Sequence, residues 1–244
     1  MTQNTVLTLG GVTKRFGGLV AVNAMDFSVL EGQVLGLIGP NGSGKSTTLN
    51  LISGALTPTS GTIALRGTDI TNMAAKDITR RGISRTFQLV RLLPSMDVLE
   101  NVMAGAVFGY RRRWGRDAQS FAMGLIERVG LGGKAHARID QLTYIDTKRV
   151  ELARVLASDP KLLLLDEWLA GLNPTELETG ISLIKSLRDE GRTIILVEHV
   201  MDAIRSLCDT CVVMSSGTKI AEGPPASVLT DAEVIRAYLG DDDA

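Results

Sequence analysis

The sequence predicts an α/β fold in which a helical segment interrupts a parallel-sheet core. Two short, continuous apolar runs, at residues 161–165 and 193–197, are typical of parallel strands that are covered on both faces. Residues 175–190 between them have helical periodicity, which indicates a right-handed βαβ unit. Residues 90–158 carry apolar residues at helical spacing and few strand-like runs. The middle of the chain is therefore expected to be a helical insertion.

The elements before and within this insertion follow from the same patterns. The first third is rich in strand-length apolar runs bounded by glycine or polar residues, at 6–9, 24–29, 34–38 and 62–65. A turn containing proline and glycine, at 57–61, precedes the last of these runs. Apolar periodicity predicts the helices of the insertion at 96–107, 117–129 and 147–156.

Composition restricts the class of protein. The 244 residues are 44% hydrophobic and 22% charged, which is typical of a soluble globular protein. A net charge of −1 and an aromatic content of 4% argue against a protein that coats nucleic acid. The apolar stretches are too short to span a bilayer, and residues 1–10 lack the features of a signal peptide. We expect a cytosolic chain that reaches a membrane only through a partner.

A phosphate-binding loop is expected between the strand at 34–38 and a helix at 48–53. The loop satisfies the pattern G-x-x-x-x-G-K-[ST], and its residues are Gly39, Pro40, Asn41, Gly42, Ser43, Gly44, Lys45, Ser46 and Thr47. Glycines let the backbone turn so that N–H groups point at phosphate oxygens, and the following helix presents its positive end to the same anion. Lys45 is expected to reach the β- and γ-phosphates of ATP, and the Ser46 hydroxyl to hold Mg²⁺.

Polar side chains follow the predicted strands at the edge where ligands gather in an open α/β sheet. Asp166 follows four leucines and suits the Mg²⁺ shell, while Glu167 could orient or deprotonate the attacking water. His199 follows another apolar run and could contact the γ-phosphate. Gln88, at the start of the insertion, offers a carbonyl to Mg²⁺ or water.

These motifs, in this order and spacing, resemble the ATPase subunit of an ATP-binding-cassette (ABC) transporter over residues 6–240. The resemblance implies a phosphate-loop (RecA-like) core with an antiparallel β subdomain and an inserted helical subdomain. It divides a single domain, residues 1–244, into a core at 1–88 and 159–226, a helical subdomain at 89–158, and a C-terminal helix and tail at 227–244. It also implies that Phe16 stacks on adenine, that Gln88 is the Q-loop glutamine, that residues 170–174 are the D-loop, and that His199 is the switch histidine.

Several stretches are more specifically similar to the branched-chain amino acid uptake subfamily, at residues 15–22, 85–88, 97–102, 219–223 and 235–240. The ATPase of lipopolysaccharide export is similar in its tail. A lipopolysaccharide-type exporter therefore stays an alternative to an importer.

The signature motif departs from the family pattern. The usual Leu-Ser-Gly-Gly-Gln falls on residues 142–146, so Thr143, Tyr144, Ile145 and Asp146 are expected to meet the ATP of a partner chain. Ile145 replaces a glycine, and we expect its β-branched side chain to crowd the γ-phosphate and to resist a positive φ. Thr143 and Asp146 keep a capping-box-like spacing, although the carboxylate of Asp146 is expected to weaken the attraction of the helix for phosphate. Trp168 is a second departure, where the family commonly has proline.

The resemblance implies a Mg²⁺-dependent ATPase that dimerises head to tail with a second ABC ATPase, identical or different, and binds transmembrane permease subunits. Its place would be the cytoplasmic face of the inner membrane, and its cargo branched-chain amino acids or similar small solutes. If the partner carries an ordinary signature, the site completed by residues 142–146 is expected to be the impaired one. The basic run at 111–116 is either solvated or in contact with anionic lipid or the permease.

Two further alternatives remain at this stage. One is a soluble ABC protein that works without a permease, although the long coiled-coil insertion and the second cassette of such proteins are missing from the sequence. The other is a pseudo-ATPase that binds ATP only as a structural clamp. Intact residues at the key positions, Lys45, Asp166, Glu167 and His199, argue against a clamp.

Overall fold

The computed structural model describes residues 4–239, and the expected C-terminal tail at 240–244 lies outside this range. The strands of the described residues are β1 (Thr5–Phe16), β2 (Leu19–Leu30), β3 (Val34–Ile38), β4 (Ser60–Leu65), β5 (Thr68–Asp69), β6 (Ile83–Arg85), β7 (Leu162–Asp166), β8 (Thr193–Val197), β9 (Thr210–Ser215) and β10 (Thr218–Gly223). The helices are α1 (Lys45–Ile52), α2 (Ala75–Arg80), α3 (Val98–Phe108), α4 (Gly115–Arg128), α5 (Tyr144–Ala157), α6 (Pro174–Asp189), α7 (Met201–Leu207), α8 (Pro225–Val228) and α9 (Ala232–Leu239).

A six-stranded sheet in the order β10-β9-β3-β8-β7-β6 forms the centre of the molecule. Its strands are parallel except for the antiparallel edge strand β10. Leu162 and Leu164 of β7 pack into one hydrophobic core and Leu163 and Leu165 into the other. The apolar runs are therefore buried strands covered on both faces, as the sequence predicts.

One face of this sheet is covered by α1 and by an antiparallel sheet in the order β2-β1-β4-β5. Strands β1 and β2 are much longer than the apolar runs at 6–9 and 24–29. The sequence pattern shows only part of each strand, because the pairing of β1 with β2 contains several register shifts. A register shift breaks the alternation of apolar and polar residues by which a strand is found in a sequence.

The other face is covered by helices, including α3, α4 and α5 of the predicted insertion. Helix α3 begins with a capping box between Asp97 and Glu100. Buried Asn101 holds the preceding loop, because its Nδ2 donates to the carbonyls of Leu93, Met96 and Asp97. No helix within residues 4–239 combines the length and the apolar content that a bilayer crossing requires.

Candidate active site

The connection between β3 and α1 is a tight loop whose backbone runs against neighbouring strands. Gly39 and Gly44 both have positive φ, of 147° and 104°. A Cβ atom on Gly39 would collide with the carbonyl oxygen of Met214 in β9, and one on Gly44 with that of Ala21 in β2. These two positions therefore require glycine for both their backbone conformation and their packing.

Lys45 begins α1 and folds back into the loop. Its Nζ donates to the carbonyl oxygens of Gly39, at 2.8 Å, and Pro40, at 2.9 Å. Burial lowers the pKa of this ammonium, while the negative charges of Glu167 and Asp166 oppose that change. The cation is therefore held inside the loop by neutral acceptors, which phosphate oxygens could replace.

The loop opens onto a cavity of about 660 Å³. Besides residues 41–47, its walls include Phe16 at the end of β1, Gln88 and Glu167. Phe16 is 45% exposed although its side chain is large and apolar, which makes it accessible to a planar ligand. The predicted aromatic residue, phosphate loop, glutamine and glutamate thus border one cavity.

Glu167 lies at the centre of a three-residue contact beside this cavity. Its Oε2 accepts a hydrogen bond from Gln88 Nε2 at 2.7 Å, and its Oε1 lies 2.7 Å from His199 Nε2. The Glu167 backbone has a φ of +50°, and its N–H donates to the Val197 carbonyl at 2.9 Å. The structure therefore brings together three of the predicted residues from three different segments.

Asp166 is buried at the end of β7, beside the guanidinium group of Arg85. Its Oδ2 accepts a hydrogen bond from Arg85 Nη2 at 2.9 Å, and its backbone N–H donates to Thr86 Oγ1 at 3.1 Å. Within residues 4–239, its Oδ1 has no hydrogen-bond partner. Burial raises the pKa of Asp166, while the charge of Arg85 opposes this change. The sequence gives Arg85 and Thr86 no role of their own, because their importance depends on the pairing of β6 with β7.

The signature segment lies apart from this cavity, since none of residues 143–146 lines it. Thr143 caps α5, where its Oγ1 accepts a hydrogen bond from the backbone of Asp146 at 3.3 Å. The carboxylate of Asp146 lies 2.6 Å from Lys134 Nζ and 3.8 Å from Arg149 Nη1. Burial opposes ionisation, but the hydrogen bonds from Lys134 and Thr143 lower the pKa of Asp146 overall. Because two cations compensate its charge, Asp146 weakens the attraction of this helix end for anions less than the sequence suggests.

One part of the expectation about Ile145, the positive φ, requires a correction, whereas the crowding of a partner's γ-phosphate stays a prediction. Ile145 is the second residue of α5 and has no positive φ, so its β-branched side chain opposes no backbone conformation there. It lines a groove of about 140 Å³ together with Trp168 and Gly180. The Trp168 indole Nε1 also donates to the carbonyl of Lys148 in α5, at 3.1 Å. The two departures from the family pattern, Ile145 and Trp168, therefore border the same groove.

Two buried charged residues near Glu167 have no role in the sequence-based account. Lys148 points at the backbone that follows β7, and Glu198 Oε1 accepts a hydrogen bond from the Leu169 N–H at 2.6 Å. Burial raises the pKa of Glu198 to about 7. The position of Glu198 directly after a buried strand is a signal that could have identified it.

A sequence model of the family described as "ABC transporter" matches residues 22–170. The chain belongs to this family. A second model, described as "Branched-chain amino acid ATP-binding cassette transporter", matches residues 218–244 of this ABC ATPase. The predicted fold class, the ATPase activity and the family are thereby confirmed.

Relatives of this ABC ATPase match it over nearly its whole length. It is 38% identical to the high-affinity branched-chain amino acid transport ATP-binding protein BraF of Pseudomonas aeruginosa, over 97% of this chain and 98% of that protein. A crystal structure of an ABC transporter cassette in its ADP conformation matches with a TM-score of 0.87 and 31% identity, over 97% of this chain and 99% of that one. A dimeric cassette in a post-hydrolysis state, bound to ADP and Pi, matches with a TM-score of 0.82 and 27% identity, over 90% and 98%.

Proposed function

We propose that this chain hydrolyses ATP at the cavity beside its phosphate loop in order to drive import of branched-chain amino acids or similar small solutes through a membrane permease. The observation that carries the hydrolysis is the contact of Glu167 with both Gln88 and His199 at that cavity. The names of relatives such as BraF support the cargo.

Different residues of the cavity bind different parts of ATP. Backbone N–H groups of the loop, the N-terminus of α1 and Lys45 hold the phosphates of ATP, and Phe16 stacks on the adenine. Phe16, which is exposed, and the loop border the same cavity, which supports this assignment.

Glu167 is the general base of hydrolysis in this proposal. A water molecule attacks the γ-phosphorus, its proton passes to the Glu167 carboxylate, and ADP and phosphate leave. Gln88 and His199 each contact one oxygen of this carboxylate, and each oxygen keeps a second lone pair that can accept the hydrogen of the water. His199 and Gln88 therefore orient the base and its water.

The residues present fit a magnesium ion. Asp166 Oδ1 is a buried carboxylate oxygen with no hydrogen-bond partner within residues 4–239. With the Ser46 hydroxyl and the amide oxygen of Gln88 it makes an all-oxygen donor set, which Mg²⁺ prefers. Bound there, the ion neutralises charge on the phosphate oxygens.

A second ABC ATPase completes the site. Residues 143–146 lie outside this chain's own cavity, at a capped helix start where Thr143 and Tyr144 are exposed, which suits contact with the ATP of a partner. The dimeric cassette among the similar structures supports this arrangement. Whether the partner is identical or different, each site would need residues from both chains.

The permease is proposed to bind the groove between the core and the helical segment. This groove measures about 330 Å³ and is lined by side chains that include Phe87, Leu93 and Phe108. The Phe108 side chain is 66% exposed although it is large and apolar. Docking there places the chain at the cytoplasmic face of the membrane and connects the permease with Gln88, one residue from Phe87.

The proposed function assigns separate tasks to the subdomains inferred from the sequence. These are the core at 1–88 and 159–226, the helical subdomain at 89–158, and the C-terminal helix and tail at 227–244. In the proposed cycle, the core binds ATP, the helical subdomain carries the signature, and the permease groove is lined by residues of both. Movement between them would transmit ATP binding to the permease.

The test of this function combines purification with transport. A tagged full chain is expected to co-purify with membrane permease subunits, and cells expressing it to show ATP-dependent leucine uptake that a Glu167→Gln variant loses. Recovery of the chain without any membrane protein would favour a soluble ABC protein. Normal leucine uptake in cells that lack the chain would contradict the proposed cargo.

A further inference from the structure

Lys148 directs its charge at the backbone next to the proposed base. It lies in the second turn of α5 and is 2% exposed. Its Nζ lies 2.6 Å from the carbonyl oxygen of Ala170, 3.0 Å from that of Trp168 and 3.4 Å from that of Glu167. All three acceptors belong to residues 167–170, the segment that follows β7. A buried ammonium requires such partners, because an unpaired one is strongly disfavoured.

Other contacts fix the same segment. The Trp168 indole donates to the backbone carbonyl of Lys148, so α5 and the segment are joined in both directions. On the opposite side, Glu198 accepts the Leu169 N–H at 2.6 Å. The segment is therefore held between the signature helix and the residue that precedes His199.

The backbone of Glu167 depends on this support. Its φ of +50° is a left-handed conformation that residues other than glycine rarely adopt. The Glu167 N–H is held by the Val197 carbonyl, and its own carbonyl faces Lys148. Strained conformations of this kind persist only where the surroundings fix them.

We propose that Lys148 is a positioning residue, which holds residues 167–170 so that the Glu167 carboxylate stays between Gln88 and His199, and which links that orientation to the signature end of α5. One helical turn separates Tyr144 at the start of α5 from Lys148. A shift of α5 on contact with a partner's nucleotide would therefore move Lys148 and, through it, the base. The catalytic consequence rests on the proposed function, whereas the structural support of the segment does not.

The first test measures amide hydrogen exchange in the full chain without nucleotide. In Lys148→Met, the amides of residues 168–170 are expected to exchange at least about tenfold faster, because their local opening becomes easier. Lys148→Arg, which keeps the charge and the donors, is expected to restore most of the protection. Lys185→Met, on the exposed side of α6, is the matched control and should change nothing in this segment. Unchanged exchange in Lys148→Met would overturn the inference.

The second test measures turnover in the chain purified with its co-purifying subunits. Lys148→Met is expected to lower kcat by about 10²-fold with little change in the dissociation constant for ATP, because it misplaces the base without touching the phosphate loop. In a Glu167→Gln background it is expected to lower single-turnover hydrolysis no further. Losses that multiply in the double variant would contradict a positioning role.

Misfolding of Lys148→Met and a lack of ATP hydrolysis in the wild type each have their own test. If Lys148→Met does not fold, Lys148→Gln retains an amide donor without the charge, and the same exchange and turnover measurements apply to it. If the wild-type chain binds ATP without hydrolysing it, the proposed function fails. Exchange at residues 168–170 then still decides whether Lys148 holds the segment.

Discussion

Nε2 of His199 lies 2.7 Å from Oε1 of Glu167, and the other carboxylate oxygen accepts a hydrogen bond from Gln88 at the same distance. The three residues follow β8, β7 and β6, which are neighbours in the parallel sheet. The carboxyl ends of neighbouring parallel strands meet at one edge, so this contact is a direct result of the topology. Both oxygens of the proposed base are therefore oriented before any water approaches.

Replacing either neighbour should impair turnover more than binding. We expect His199→Ala and Gln88→Ala each to lower kcat by about 10- to 10²-fold, since each leaves one oxygen of the base without its partner. The dissociation constant for ATP, measured with a fluorescent analogue, should change little. A half-buried residue on the same strand-to-helix connection, Val200, provides the control as Val200→Ala, which removes local packing without touching the carboxylate. Normal kcat in both His199→Ala and Gln88→Ala would contradict the orienting role.

Lys45 should matter chiefly for binding. Lys45→Ala is expected to weaken ATP binding by about 10²-fold, because it removes the only side-chain cation of the loop motif from the phosphates. Lys76→Ala, an exposed lysine on α2, should bind ATP like the wild type. Equilibrium titration with a fluorescent ATP analogue measures both variants, and equal affinities would exclude Lys45 from the nucleotide site.

Glu198 should make stability depend on pH. Burial raises its pKa from 4.5 to about 7, so the folded state keeps this proton at pH values where the unfolded state has lost it. Its contribution is therefore fully present below about pH 4.5 and is lost as pH rises to about 7, by up to about 3 kcal/mol. The charged groups that influence it include Lys148 and Glu167.

The measurement compares free energies of unfolding at several pH values between 5 and 8. Glu198→Gln should flatten the decline seen in the wild type, because the amide does not ionise. Glu233→Gln, on the exposed side of α9, is the control and should keep the wild-type decline. An identical slope in Glu198→Gln and the wild type would show that Glu198 ionises as an ordinary carboxyl.

Ile145 should act through packing. If Ile145 limits hydrolysis by crowding the γ-phosphate, Ile145→Gly would raise turnover. The structure instead places Ile145 inside α5 and against the groove of Trp168. We expect Ile145→Gly to lower the free energy of unfolding by about 1–2 kcal/mol and to leave turnover no higher, since it removes packing and adds a helix-destabilising glycine. A clear rise in turnover of the assembled complex would instead show that the Ile145 side chain crowds the γ-phosphate.

Local patterns in the sequence were sufficient for much of the fold. Continuous apolar runs identify β7 and β8. The spacing of the glycines and of Lys45 between a strand and a helix identifies the phosphate loop. The long strands β1 and β2 were found only in part, because their register shifts interrupt the alternating pattern.

The contacts that the sequence could not supply are those between distant segments. Arg85 meets Asp166 because β6 pairs with β7, and Lys148 meets residues 167–170 because α5 packs beside the end of that strand. No local pattern encodes either pair. The positions of Gln88, Glu167 and His199 could be predicted, but their direct contact required the order of the strands.

The most direct test of the account is the comparison of ATP binding and hydrolysis in Glu167→Gln. The amide keeps the shape of the side chain but cannot accept the proton of the attacking water. Single-turnover hydrolysis should fall by at least about 10³-fold, while ATP binding stays within a few-fold of the wild type. Hydrolysis at the wild-type rate in this variant would show that Glu167 is not the base.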